Sequence, residues 1–372
     1  MACGVTKSIE LVPISRRFVV PIISGDVDLS ESPEQWFHSR ATHYVVSQVL
    51  FHLGQAGVFS LLDSSGPKSI SEIAKTLNLV PHVLSCSLDY VVNIENILEY
   101  DSQDRVAITE FGAEVLQRFG RDDGNTRHFN FFDVRVGSFG PVWSGLGKLL
   151  SGEEKYGEGV NRVGQYAADG VYKVAARLIS PIEEACSSLG IKSLLEVGVP
   201  TGLLAGLIQA HPDWNGVGLD KDQSALEEAS KRAEATGVNS INWCQGDFFR
   251  PVDWGHLAAG EPQCALISIH FHELIAGGVE PLQRCLRELR ETAPGAYVFA
   301  IEQERLTNDE RAAVSDTIWL YSHSNVLIHH LVQNGRILSR KGWIATFEDA
   351  GCEFVSATSL GYLGYHLYIS RL

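Results

Sequence analysis

Apolar positions along the chain repeat with two different periods, and the change between them divides it. In the first part the period is helical: Val46, Val49, Leu50, Leu53 and Leu61 fall on one face, which predicts a long helix over residues 42–62. Residues 1–40 show no clear period. Ser69 and Glu72 form a capping-box pattern ahead of a second helix, and residues 81–92 read as a third. Ile97-Leu-Glu-Tyr and Arg105-Val-Ala-Ile-Thr, separated by residues 101–104, predict a small hairpin. Further along, short apolar runs take over, beginning at Ser193, Gly216, Ile241, Cys264 and Ala296, as strands buried in a parallel sheet would. Helical stretches are expected at residues 169–185, at 310–332 as one long helix, and at 341–350, capped by Ser339 and stopped at Gly351. Residues 353–358 and 365–370 close the chain as antiparallel strands, with Tyr362-Leu-Gly-Tyr365 between them.

The run Ser193-Leu-Leu-Glu-Val-Gly-Val-Pro-Thr-Gly202 organises the second part. An apolar strand carries a carboxylate, ends in a glycine turn, and is followed by Leu203, Leu204, Leu207 and Ile208 at helical spacing. Strand, tight turn and helix together build a nucleotide site. Glycines such as Gly198 and Gly202 let backbone approach a ligand, and the helix start offers N–H groups. Glu196 changes the expected ligand, because a carboxylate at the strand end suits a cationic amine better than a phosphate. Asp220 ends the next strand, 24 residues on, where an acid can hold ribose hydroxyls. Asp247 follows the third strand, placed to accept from an adenine amino group, with Phe248 to cover the ring. Three acids at consecutive strand ends favour adenosine without phosphate.

With these residues the chain resembles the class I S-adenosylmethionine-dependent methyltransferases. More narrowly, it is similar to the dimeric small-molecule O-methyltransferase-like family, which includes C-methyltransferases and some pericyclases. The family's loop runs Gly-x-Gly-x-Gly, whereas here Pro200 takes the middle place, with φ fixed near −65° and no N–H to donate. The fourth strand runs into His270-Phe-His272-Glu273, and a histidine at a strand end can take a proton near neutral pH. Matching the family's His-Asp-Trp motif makes His272 the catalytic base, with the aspartate changed to Glu273 and the tryptophan lost. Glu302, at the end of the fifth strand, matches the acid that orients the histidine. A second orienting acid expected near Gly335 is replaced by Ile337.

Composition narrows the function. The 372 residues suffice for two domains, with 45% hydrophobic and 20% charged residues and no repeat or low-complexity tract. No run approaches a membrane span, and the patchy segment 11–24, broken by prolines and arginines, reads as an arm. Seven cysteines without a CxxC pair suit reduced thiols in a cytoplasmic enzyme. A net charge of −15 disfavours nucleic acid and anionic membrane as partners, leaving small molecules.

Three helices and a hairpin in the first part form a winged-helix-like pattern, which serves either DNA reading or dimerisation. Between residues 41 and 116, three bases stand against nine acids, the wrong sign for DNA. A homodimer through this domain is expected. The fold class is therefore α/β: a mainly helical winged-helix-like dimerisation domain over residues 1–120, a helical connector over 121–185, and a Rossmann-like cofactor-binding domain over 186–372. The aromatic connector, with Phe129, Phe132 and Trp143, is expected to line the substrate pocket, as are His270, Trp319 and His323. His323 and His330 stand seven apart and could join His272, but histidines without a matching carboxylate pattern are more often polar lining, so no metal is expected. The implied activity is O- or C-methylation of a small, partly aromatic acceptor, using S-adenosylmethionine and releasing S-adenosylhomocysteine. The alternative is a pericyclase using the same pocket without methyl transfer.

Overall fold

The computed structural model describes residues 32–120, 132–198, 202–257, 264–331, 335–360 and 364–372, which fall into two compact units divided near residue 127. The arm at 11–24, Phe129, Pro200 and residues 361–363 lie outside the described residues.

In the first unit, helix α1 (Pro33–Gln55) begins at a capping box between Ser32 and Gln35 and ends before Gly57. Gly57 adopts φ +85°, which an L side chain resists, and the chain turns there into α2 (Val58–Ser65). The single helix expected over 42–62 is therefore two, and it starts nine residues earlier, because Ser32 and Pro33 supply a start signal that apolar periodicity does not carry. Helix α3 (Ile70–Leu77) has the Ser69–Glu72 capping box, and α4 (Pro81–Ile94) follows. Strands β1 (Leu98–Tyr100) and β2 (Val106–Ile108) pair antiparallel, with Asp101 Oδ1 accepting from the backbones of Gln103 and Arg105 to hold the turn. Thr109 caps α5 (Glu110–Phe119). Val58, Ile73, Leu88, Val91 and Val106, all fully buried, make this unit's core.

The second unit opens with a π-helical segment, Asp133–Ser138, two short helices at Gly140–Ser144 and Leu146–Ser151, and the long helix Gly164–Leu189. Seven strands follow: β3 (Ser193–Val197), β4 (Asn215–Asp220), β5 (Ile241–Gln245), β6 (Cys264–Ser268), β7 (Tyr297–Gln303), β8 (Glu353–Ser359) and β9 (Tyr365–Arg371). Their order is β5-β4-β3-β6-β7-β9-β8, parallel except that β9 runs antiparallel to both neighbours. Alternation along β7 shows why the run is continuously apolar. Val298 and Ala300 enter a core with the helices Glu280–Thr292 and Arg340–Asp349, while Phe299 and Ile301 enter the opposite core with Gly164–Leu189 and Leu203–Ala210. The order reverses between β3 and β6, and the crevice beyond their carboxyl ends is where such sheets bind ligands.

The helix expected over 310–332 is a 3-10 turn, Asn308–Ala313, followed by a helix from Asp316 to Leu331. The break is at Val314, whose extended backbone (φ −126°, ψ 152°) cannot continue a helix. Among the described residues, no single helix is long and apolar enough to cross a membrane.

Candidate active site

Two strand ends meet at the switch point. Gly198 follows β3 with φ +79°, and a Cβ there would lie 2.8 Å from Cδ2 of His270, which follows β6. Glycine is required twice over, by backbone and by contact. Glu196 is 2% exposed, and its Oε2 accepts from the backbone N–H of Leu204 at 3.2 Å, anchoring the start of the Leu203–Ala210 helix. Gly202 also takes a left-handed φ, +75°, immediately before that helix. Asp220, half-buried at the end of β4, accepts from the Asp222 N–H at 2.9 Å. Asp247 is exposed and accepts from the Phe249 N–H at 3.0 Å.

Phe248 is turned the other way. It is 5% exposed and packs on Trp254 (centroids 5.7 Å apart) and Phe271 (5.4 Å) inside the core. The cover for an adenine ring expected from Phe248 is not offered by this side chain, because an apolar core with three aromatic neighbours is the better environment for it.

β6 ends at Ser268, and Phe271–Leu274 forms one helical turn, so His270 and His272 are not strand neighbours. Their ring centroids are 6.3 Å apart. His272 is held at three points. Its N–H donates to Glu302 Oε1 at 3.1 Å, its Nδ1 lies 2.7 Å from Glu302 Oε2, and its carbonyl accepts from Arg336 N–H at 2.7 Å. Glu302 is fully buried. Burial opposes a charged His272, but the charge and hydrogen bond of Glu302 outweigh it and raise the imidazole pKa above its ordinary value. With Nδ1 engaged, Nε2 is the nitrogen left for chemistry.

Gly335 explains the third hold. A Cβ at this position would sit 1.9 Å from the His272 carbonyl oxygen, so only glycine lets this backbone close over His272. The segment where the resemblance implies a second acid thus contributes backbone contact, and Ile337 is buried at 2% exposure.

On the helix Asp316–Leu331, the inward positions are Ser322, Asn325 and Ile328. His329 comes next, with its ring edge-to-face on His272 at 4.5 Å between centroids. Burial, then the charges of His272 and Arg135, hold its pKa well below the usual imidazole value, and its buried Nδ1 has no hydrogen-bond partner among the described residues. His323 and His330 are exposed instead. The His323 ring lies tilted against half-buried Trp319, centroids 4.1 Å apart, and Trp319 in turn lies under Arg311. The grouping of His272 with His323 and His330 is therefore replaced by His272 with His329. A seven-residue spacing put the first two on one face, but that face points outward. The polar series Ser322, Asn325, His329 was the available signal, since it repeats at three and four residues.

Arg135, 8% exposed, donates to Asn325 Oδ1, and Asn325 Nδ2 donates to Gln303 Oε1, so a buried polar chain reaches the residue after Glu302. Trp143 donates to the Arg135 carbonyl at 3.0 Å and packs with Phe139, Val142 and Ile328, an apolar cluster that includes the residue before His329. Phe132 is half-buried at the head of the π-helical segment. Nothing in the motifs marked Arg135, Asn325 or Gln303.

A seven-stranded sheet in this order, with glycine and acids at the carboxyl ends of β3 and β4, is the Rossmann-like fold of class I methyltransferases, here preceded by a helical unit. Among solved structures, the chain is similar to the mitomycin 7-O-methyltransferase MmcR (15% identity, TM-score 0.63, covering 91% of this chain and 98% of that one). It is also similar to PigF, solved with SAH (15%, 0.68, 92% and 100%), and to the N,N-8-amino-8-demethyl-D-riboflavin dimethyltransferase RosA from Streptomyces davawensis (16%, 0.62, 91% and 99%). At these identities the likeness establishes the fold over nearly the whole chain. No family model and no curated protein sequence matches it.

Proposed function

We propose that this protein transfers a methyl group from S-adenosylmethionine to a small, partly aromatic acceptor, at oxygen or carbon. The observation that carries the reading is the His272–Glu302 dyad at the carboxyl end of a sheet whose fold is shared with enzymes named for small-molecule methylation. The β3 end fits the cofactor: Gly198 leaves a space that a Cβ would fill, and carboxylates rather than cations stand at Glu196, Asp220 and Asp247, which suits an adenosine without phosphate. Bound there, the cofactor supplies an electrophilic methyl group on a sulfonium sulfur.

The chain's own residues supply the rest. Glu302 fixes the His272 ring so that Nε2 can take the acceptor's proton, and it stabilises the imidazolium that results. The apolar cluster of Phe139, Val142 and Ile328, with Trp143 packed against it, keeps water from the acceptor, and most of the rate comes from aligning the acceptor with the methyl group in such a dry pocket. Residues 121–185 in this reading carry pocket side chains, and residues 1–120 serve dimerisation. Trp36, Phe37, Tyr44 and Val45 on α1 are 52%, 64%, 60% and 45% exposed, an apolar stripe that supports a second copy as partner. Pericyclic chemistry is the second reading, favoured by the buried Ile337 where the resemblance implies a second acid.

Calorimetry tests the cofactor site. Wild type binds S-adenosylhomocysteine, and Asp220→Ala weakens binding by roughly tenfold or more, the worth of about 1.5–3 kcal/mol for a charge-assisted bond. Unchanged affinity in Asp220→Ala would remove the site. Product mass separates the readings, since methylation adds a methyl group and isomerisation adds nothing. Light scattering checks the dimer, which a monomer mass would refute.

A further inference from the structure

The geometry points to a divalent transition-metal site formed by His270, His272 and Glu273. A ring nitrogen of each histidine and a carboxylate oxygen of Glu273 all lie within 4.8 Å of one another. Ligands of a tetrahedral ion at about 2.0–2.1 Å are separated by about 3.3 Å, so closing this set takes side-chain movements on the order of an ångström. Glu273 is the carboxylate that the sequence pattern of histidines lacked.

Three features favour an ion over a chance meeting. Glu302 lies 2.7 Å from His272 Nδ1, the carboxylate–histidine arrangement that fixes a ligating ring and directs its Nε2 outward. Because Gly198 carries no Cβ, which would meet His270 Cδ2 at 2.8 Å, the His270 ring can lie against the end of β3, and the His270 backbone N–H donates to Ser268 Oγ at 3.1 Å, which holds the main chain that carries the ring. The site is half-buried, and among the described residues the ion pair of Glu273 is a long contact with Arg162, at 3.8 Å. Two imidazoles and one carboxylate select zinc, cobalt, nickel or ferrous iron over magnesium or calcium, and leave a position open.

The ion and the proton compete for Nε2 of His272. A bound cation therefore silences the base, and the site makes methyl transfer sensitive to free transition metal.

Chelator-treated full-length protein titrated with zinc chloride in a calorimeter tests the site without cofactor or acceptor. One saturable site is expected, weakened at least tenfold by Glu273→Gln and by His270→Asn, and about 10–100-fold by Glu302→Gln, which removes no ligand but alters the ring's orientation and basicity. Cobalt chloride is expected to develop the intense visible absorption of a low-coordinate centre. Circular dichroism confirms folding, and if His270→Asn does not fold, Glu273→Gln, a half-buried and nearly isosteric change, decides. No saturable zinc binding, equal affinity in Glu273→Gln and wild type, or only the weak cobalt spectrum of an octahedral surface ion overturns the assignment. Zinc inhibition of product formation is a separate arm that rests on the methyl-transfer reading. Zinc binding without methylated product keeps the metal site and removes that reading; methylated product without zinc binding does the reverse.

Discussion

Glu302 and Glu304 stand two residues apart at the end of one strand, both buried, and they are used in opposite ways. Glu302 spends both oxygens on a single residue, His272, and leaves that residue's far nitrogen open. Glu304 Oε1 accepts from Arg340 Nε at 2.7 Å and from the Tyr368 hydroxyl at 2.6 Å, and His366 Nδ1 lies 3.4 Å away. Arg340 in turn reaches His366 Nε2 at 2.9 Å, so the cluster closes on itself. A carboxylate whose partners are engaged with one another holds its segments together. One that orients a ring with a free nitrogen prepares chemistry. The contrast shows that burial and charge do not by themselves mark an active carboxylate; what its partner still has to offer does.

The largest expected effect lies on the open side. His272→Ala lowers turnover by ~10²–10⁴ while leaving cofactor affinity nearly intact, measured with methyl-labelled cofactor and by calorimetry. Full retained methylation would make the two carboxylates equivalent in kind and end the comparison.

Glu302→Gln costs less. The amide keeps a hydrogen bond to the ring but loses the charge that stabilises an imidazolium, about 1–2 kcal/mol or roughly tenfold in rate. Steady-state kinetics place the loss in kcat and not in KM.

Glu304→Gln is expected to act on stability alone, by about 1–3 kcal/mol, because Tyr368 is fully buried and loses a charged acceptor. Arg340, with its side chain 49% exposed, can turn to water and adds little. A thermal melt lowered by several degrees with unchanged turnover per folded molecule is the expected result.

The smallest effect is in the pH dependence, and it has opposite signs in the two regions. His272 has a raised folded pKa, so in metal-free protein its stabilisation is complete below the unfolded value of about 6.5 and is lost as pH rises through the folded value. The base needs the neutral ring, so turnover rises over that same window. Burial lowers the His366 pKa, against the pull of Glu304, so its neutral ring contributes stability that is present above about 6.5 and lost as pH falls through the folded value. Melts of Glu302→Gln and Glu304→Gln against pH separate the two limbs.

Much of this molecule follows from its sequence. The apolar runs at Ser193, Gly216, Ile241, Cys264 and Ala296 become β3 to β7, and the capping boxes and caps at Ser69 and Ser339 start the helices they mark, because these signals act between residues a few positions apart. The pairing of His272 with Glu302 came from the family resemblance, and the two side chains do meet, because the ends of adjacent strands in a doubly wound sheet converge. What only the tertiary structure decided is which residues complete the site. His329 replaces His323 and His330, Gly335 closes on the His272 carbonyl from 63 residues away, Arg135 reaches Asn325 across 190, and Phe248 turns into the core. A one-dimensional pattern gives the period of a helix but not the direction in which its faces point. That direction is set by which apolar surfaces bury together, and those contacts join segments that no local spacing relates.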